Sequence, residues 1–239
     1  MIAGCKINDN IKIYCRVISF LLLPFCTSAF AQPLKIVKKQ KEYCSQVKTD
    51  SLKRMVELKF LDSTISYDLK YATTNNFTGK KLYKSSDLVF LRTLPALALK
   101  NIQMELLQEG LGLKIFDGYR PYLVTKRMWE LIKDERYVAN PSRGSGHNRG
   151  LAVDLTLIEI STGKELNMGT GFDNFSDTAH HAFRELSSQV LQNRNRLKEI
   201  MEKHGFNALS TEWWHYSWPN DRSYDVLDLE PQKLRKHCP

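Results

Sequence analysis

Ser145-Gly146-His147-Asn148-Arg149-Gly150-Leu151-Ala152-Val153-Asp154 carries a polar loop into an apolar strand, with a histidine near one end and an aspartate at the other. Residues 151–158 read as a strand, because the run is apolar and partly β-branched. An ionisable Asp154 among Leu151, Ala152, Val153 and Leu155 must be paired, hydrogen-bonded or bound to a metal. Working outward, 111–116 forms a second short buried strand, and Asp117-Gly118-Tyr119-Arg120-Pro121 a turn after it. A helix is signalled over 93–109: Thr93 can cap it and Pro95 suits its first turn. Leu94, Leu97, Ala98, Ile102 and Leu106 make its stripe, and Gly110 can end it. Further helices are expected over 122–134 and over 190–203, the latter with Leu197, Ile200 and Met201 inward. Residues 58–71 alternate enough to suggest extended structure, and 212–218 closes the fold as an aromatic strand. Helices and strands interleave without regular βαβ spacing, so the class is α+β.

The ends of the chain need separate treatment. Lys6, Lys12 and Arg16 precede an apolar stretch of about ten residues and the small-residue ending Ala29-Phe30-Ala31, the pattern of a secretory signal peptide. The stretch is too short for a bilayer span, which needs ~20 residues. We expect 1–31 to be a signal peptide cleaved after Ala31, 32–57 a polar, Lys-rich, solvated lead-in, and 58–239 one catalytic domain. Cleavage leaves 32 Lys and Arg against 25 Asp and Glu, lowering the net charge from +9 to +7. It also removes Cys5, Cys15 and Cys26, leaving Cys44 and Cys238, which in an oxidising compartment can form a bridge or stay as two thiols. No basic-aromatic module accompanies the positive charge, so nucleic acid is not an expected partner.

The chemistry-bearing residues fall in two clusters. The chain has no H-E-x-x-H, C-x-x-C, G-x-S-x-G or phosphate-binding loop. Beside His147 and Asp154 stands Glu212-Trp213-Trp214-His215-Tyr216, a carboxylate three residues before a histidine, wrapped in aromatics. On a regular strand Glu212 and His215 would face opposite sides, so a turn or bulge must bring them together. Two histidines and an aspartate suit a three-ligand zinc set with a fourth position for water. Glu212 is then the carboxylate left to take that water's proton. His180 and His181 read as structural or supporting groups, and Arg194 and Arg196 as a solvated or salt-bridged helix face.

Ser145-x-His147-x-x-Gly150-x-Ala152-x-Asp154 followed by Glu212-x-x-His215 resembles the VanX-type D-alanyl-D-alanine dipeptidases, within the zinc D-Ala-D-Ala peptidases. The segment 68–79, the Asp117–Pro121 turn, Met168-Gly169-Thr170-Gly171-Phe172-Asp173 and the helix segment 193–201 are similar to family segments too. The resemblance covers about 58–216. It implies a small, mainly antiparallel central sheet flanked by helices, with one Zn2+ per chain in a central cavity. It implies His147, Asp154 and His215 as ligands, Glu212 as catalytic base and then acid, and Arg120 as oxyanion stabiliser. Asp173 would anchor the substrate's ammonium group, with Asp117, Ser145, Tyr71 and Tyr83 shaping the cavity. Gly146 departs from the family's frequent serine, so one substrate hydrogen bond is not expected here. The expected activity is hydrolysis of D-alanyl-D-alanine in the periplasm, with no stable membrane insertion after cleavage. The competing readings are a D,D-carboxypeptidase or endopeptidase on larger peptidoglycan peptides, and a non-catalytic zinc-binding cell-wall module.

Overall fold

The computed structural model describes residues 33–83, 88–236 and 238; the expected signal peptide lies outside them. In chain order the elements are β1 (Ile36–Val37), α1 (Gln40–Thr49), β2 (Met55–Glu57), α2 (Leu58–Leu61), β3 (Ser66–Tyr67) and β4 (Phe90–Arg92). There follow α3 (Thr93–Leu107), β5 (Leu111–Asp117), α4 (Tyr122–Leu131), α5 (Gly146–Arg149) and β6 (Ala152–Glu159). The chain closes with α6 (Ser188–Lys203), β7 (Asn207–Ala208), β8 (His215–Ser217), β9 (Val226–Leu227) and α7 (Pro231–Leu234).

The central sheet has five strands in the order β3-β5-β6-β8-β7. The β3–β5 pair is parallel and the other three pairings are antiparallel. Strand β6 is buried at every position but its last, which explains a nearly unbroken apolar run instead of alternation. Its register decides where the chemistry goes. Asp154 pairs with Asp117 on one side and with His215 on the other, so three strands present one row of functional residues. A register shift between Ile115 and Asp117 on β5 re-aims that strand's end toward the row.

Helix α3 packs on this sheet through Ala96, Leu99, Ile102 and Leu106. The expected stripe is displaced: Leu97 is 44% exposed, while Leu99 is fully buried. Spacing of three and four residues from Leu99 through Ile102 and Leu106 fits one face, and Leu97 lies off it. Thr93 begins the helix without capping it, because Arg92 occupies the cap position. Residues 58–71 are not one extended run either. Leu58–Leu61 is a helical turn, and Asp62 accepts from the Thr64 amide and hydroxyl, reversing the chain before the two-residue β3. Helix α4 ends at Leu131, short of the expected 134.

The largest correction concerns the lead-in. Residues 34–239 form one unit, with no boundary at 58. Lys38, Lys39 and Lys41 are exposed as expected, but α1 turns Tyr43 and Val47 inward, four residues apart. They join a second core with Met55, Phe90, Tyr119, Leu227 and Leu229, which also takes in the C-terminal tail. Arg92 sits fully buried beside that core, with its guanidinium 5.9 Å from the Tyr43 ring and 5.3 Å from the Tyr224 ring. It donates to the carbonyls of Arg149, Lys53 and Asp225, tying the loop before β6 to the N-terminal and C-terminal segments.

Cys44 and Cys238 are joined as a disulfide across 194 residues of sequence. A cross-link that closes so long a loop restricts the unfolded chain strongly, a contribution of about 2–4 kcal/mol. The Cys44→Ser/Cys238→Ser variant should therefore melt at lower temperature than the parent. Thermal melts of both proteins check this, and unchanged stability would show that the bridge adds nothing. No helix among the described residues is long and apolar enough to cross a membrane.

Candidate active site

The loop before β6 holds His147 by local chemistry. Ser145 accepts from the Asn148 amide while the Asn148 side chain accepts from the Ser145 amide, a capping box that closes the one-turn helix α5. Gly150, at φ 71°, ends it in the left-handed region that glycine enters without strain. Gly146 is equally constrained: a Cβ there would come within 2.9 Å of the Ala152 Cβ. A side chain in place of Gly146 would force α5 away from β6.

His147 Nδ1 lies 2.7 Å from the Gly118 carbonyl, which can only accept, so Nδ1 carries the proton. The Nε2 lone pair is thereby turned toward Asp154 and His215. Nε2 of His147 is 3.2 Å from His215 Nδ1 and 3.3 Å from Asp154 Oδ2, and His215 Nδ1 is 2.9 Å from Asp154 Oδ1. Zinc bonds of about 2.0–2.1 Å would set tetrahedral ligand atoms roughly 3.3 Å apart, close to the spacing seen. Among the described residues, this trio is the group of His, Cys, Asp and Glu side chains that could hold a metal. Burial keeps the His215 pKa below its ordinary value, leaving a neutral ligand. Burial alone would raise Asp154, but His147 and His215 against it pull its carboxyl below the usual range.

Glu212 stands outside the trio, its Oε2 3.9 Å from His215 Nδ1. A turn spans 210–214 and β8 begins only at His215, so the two side chains come together without sharing a regular strand. The Trp214 carbonyl still accepts from the Leu155 amide, which fixes this turn against β6. Burial, then the charges of Asp154 and Asp173, push the Glu212 carboxyl well above its ordinary range.

Arg120 donates through Nε and Nη2 to Asp117 Oδ2, both at 2.8 Å, and Nη2 lies 3.6 Å from Asp154 Oδ2. Burial by itself would lower the Arg120 pKa; Asp117, Tyr71, Tyr83 and Asp154 together outweigh it, and the guanidinium stays charged. Its plane rests 5.0 Å from the Tyr71 ring. The Tyr71 hydroxyl donates to Asp173 Oδ1 at 2.8 Å, while Asp173 Oδ2 is buried without a hydrogen-bond partner among the described atoms. Burial raises the Asp173 pKa to about 7.

These groups surround a cavity of about 200 Å³. Pockets for drug-sized ligands run about 300–1,000 Å³, so the space suits a smaller molecule. Of the residues singled out from sequence, His147, Asp154, His215, Glu212, Arg120, Asp173, Tyr71 and Ser145 line it. Asp117 and Tyr83 stand behind Arg120 instead, with the Tyr83 hydroxyl donating to Asp117 Oδ1 at 2.9 Å. Sequence reasoning missed the wall formed by Phe77, Phe175, Met128 and the segment 135–139. The only signal there was Tyr137-Val138-Ala139 inside an otherwise polar stretch. That segment is pinned to the Glu212 turn where the Thr211 hydroxyl donates to the Arg136 carbonyl. His180 and His181 lie outside the trio, as expected of supporting groups.

Two imidazoles and a carboxylate able to hold zinc, with a second carboxylate beside them, define the site of a zinc metallopeptidase. Comparison with known proteins is more specific: the chain belongs to the D-ala-D-ala dipeptidase family (Peptidase_M15), whose profile matches residues 52–233. The D-alanyl-D-alanine dipeptidase of Escherichia coli (strain K12) is 35% identical over 173 residues, covering 72% of this chain and 89% of that one. The enzyme of the same name from Enterococcus faecium is 38% identical over 180 residues, covering 66% and 89%. Among solved structures, the LD-carboxypeptidase LdcB overlaps with 23% identity and a TM-score of 0.36, over 56% of this chain and 62% of that one.

Proposed function

We propose that this enzyme hydrolyses the dipeptide D-alanyl-D-alanine to two D-alanines. The observation that carries the reading is the buried, unpartnered Asp173 oxygen in the same small cavity as the metal-ligand trio. An orphaned buried carboxylate oxygen is costly unless a cationic group meets it. The free ammonium end of a dipeptide is such a group; a residue inside a longer peptide has none.

Zinc held by His147, Asp154 and His215 would polarise the scissile carbonyl and bring the pKa of a bound water to about 7. Glu212 takes the proton of the attacking water and passes it to the leaving amine. Burial beside Asp154 and Asp173 raises its pKa, which strengthens its hold on the proton it must take up before returning it. Arg120, held by Asp117, offers a fixed cationic donor to the developing oxyanion, an effect worth about 3–4 kcal/mol for one donor. Tyr71 orients Asp173 through the hydroxyl that occupies its other oxygen. Ser145 lines the cavity, but its hydroxyl accepts the Asn148 amide at 3.1 Å, so it supports His147 as well as shaping the wall.

The reading extends to location. The expected signal peptide over 1–31 and a disulfide of the kind that persists in oxidising compartments both support a periplasmic enzyme.

Comparing D-Ala-D-Ala with its N-acetylated form tests the substrate. We expect the free dipeptide to be preferred by about 10²-fold or more in kcat/KM, since the blocked amine leaves Asp173 unpaired. Equal values would favour a carboxypeptidase of larger wall peptides. The pH dependence follows from Asp173. Its carboxyl is neutral below about 7 and charged above it, so KM for the free dipeptide should fall as pH rises through about 7. Asp173→Asn should abolish that dependence; a variant that kept it would place the ionisation elsewhere.

A further inference from the structure

Asp173 lies in the segment between β6 and α6, residues 160–187, which has little regular structure to hold a side chain in place. The segment contains one 3-10 turn, Asp177–Ala179, and one isolated bridge, Ile158 to Glu165, at its start. Asp173 itself has φ 59°, in the left-handed region that a non-glycine residue keeps only where its surroundings over-determine it.

Two consecutive residues of α6 supply that determination. Arg194 was expected on a solvated or salt-bridged helix face, yet it is 3% exposed and its partners are backbone carbonyls. Its Nε donates to the Met168 carbonyl at 2.7 Å, and its Nη1 to the carbonyls of Thr178 at 3.0 Å and His180 at 3.3 Å. Asn193 donates to the Asn167 carbonyl at 2.9 Å. The segment is therefore gripped on both sides of Asp173, at 167–168 before it and at 178–180 after it. On the near side the approach is so close that a Cβ on Gly169 would lie 2.9 Å from Val190 and 3.4 Å from the Arg194 guanidinium. Arg194 Nη2 has no hydrogen-bond partner among the described residues, so the bonds from Nε and Nη1 carry the grip, and the planar fork holds several carbonyls in fixed relation as an ammonium does not. Between the grips, Phe172 packs on Trp214 at 5.5 Å and on Tyr71 at 5.7 Å, so loosening one grip shifts the segment without releasing it.

We propose that Arg194 is a positioning residue for substrate recognition: by fixing both flanks of the 167–180 segment it sets the open Asp173 oxygen where the substrate's ammonium group arrives. The inference rests on Asp173 as the ammonium anchor. Arg194 does not line the cavity, so its loss acts on recognition and leaves the metal ligands in place.

The test is the preference for D-Ala-D-Ala over its N-acetylated form, with KM and zinc content, in Arg194→Lys, Asn193→Ala, Asp173→Asn and the double variant Asp173→Asn/Arg194→Lys. Displacements on the order of 1 Å can cost up to about 10²-fold. We therefore expect Arg194→Lys to lower the preference about tenfold or more, mainly through KM, with zinc retained. Asn193→Ala, which frees one carbonyl of the same grip, should move the same way by less and decides the matter if Arg194→Lys does not fold. The double variant should be no less selective than Asp173→Asn alone. An unchanged preference in Asp173→Asn removes the anchor, and the role of Arg194 with it. Loss in Asp173→Asn, with none in Arg194→Lys and Asn193→Ala, overturns the positioning role alone, as would losses that multiply in the double variant.

Discussion

Glu212→Ala retains zinc and loses turnover of D-Ala-D-Ala by about 10²–10⁴-fold or more, the range expected for removal of a general base that serves twice. The separation of metal from activity follows from geometry. The three ligand atoms lie within 4.8 Å of one another, and Glu212 is not among them. Its nearer oxygen stands 3.9 Å from the ligand nitrogen of His215, too far for a hydrogen bond. Stability should not suffer as it does at other buried positions. The Glu212 carboxyl is raised by burial and by Asp154 and Asp173, so in the metal-free protein its presence favours folding only at low pH. That contribution is lost as pH rises from the ordinary carboxylate range toward the raised value. At neutral pH, then, the group is kept despite its cost, which suits a residue retained for chemistry. Glu212→Gln keeps the volume and should behave the same way. Metal analysis beside a turnover assay checks both variants. Activity in either would remove Glu212 from the mechanism, and zinc loss would make it a ligand.

What the sequence made legible is what leaves a short-range pattern. An aspartate in an apolar strand has few fates, and a Glu three residues before a His among aromatics demands a turn; both inferences needed only neighbouring residues. Arg194 shows the opposite case. Its partners are backbone carbonyls 14 to 26 positions away, and carbonyls carry no residue identity. An arginine on an amphipathic helix therefore reads as solvated. The lead-in was misread for a related reason: exposed Lys38, Lys39 and Lys41 dominate its composition, while its contribution to the core rests on Tyr43 and Val47. Asp117 and Tyr83 were expected to shape the cavity, and they instead brace Arg120 behind its lining. Whether a side chain lines a cavity or braces the residue that does depends on strand register, which spacing does not reveal.

His147→Ala should lose metal and activity together, and stability as well. Removing one of three ligands leaves Asp154 and His215, too few to hold zinc in a closed set. Excess zinc should not restore turnover, because the lost imidazole also carried the orientation set by the Gly118 carbonyl at 2.7 Å. That carbonyl loses its donor, and a buried acceptor left unpaired costs about 1–3 kcal/mol. Asp154 is affected too. With no metal bound, a protonated His147 facing it is the largest influence holding its carboxyl below the ordinary range, against burial that raises it. A depressed carboxylate pKa stabilises the fold above the ordinary value, and the effect fades as pH falls through the depressed one. In His147→Ala that contribution shrinks, leaving Asp154 with His215 at 2.9 Å and Arg120 at 3.6 Å. The metal-free variant should therefore melt below the metal-free parent at neutral pH, with the difference narrowing under strong acid. Zinc stoichiometry and melts of both metal-free proteins provide the check. Full occupancy in His147→Ala would refute the ligand set. Occupancy lost here but kept in Glu212→Ala would separate the residues that hold the metal from the one that moves the proton.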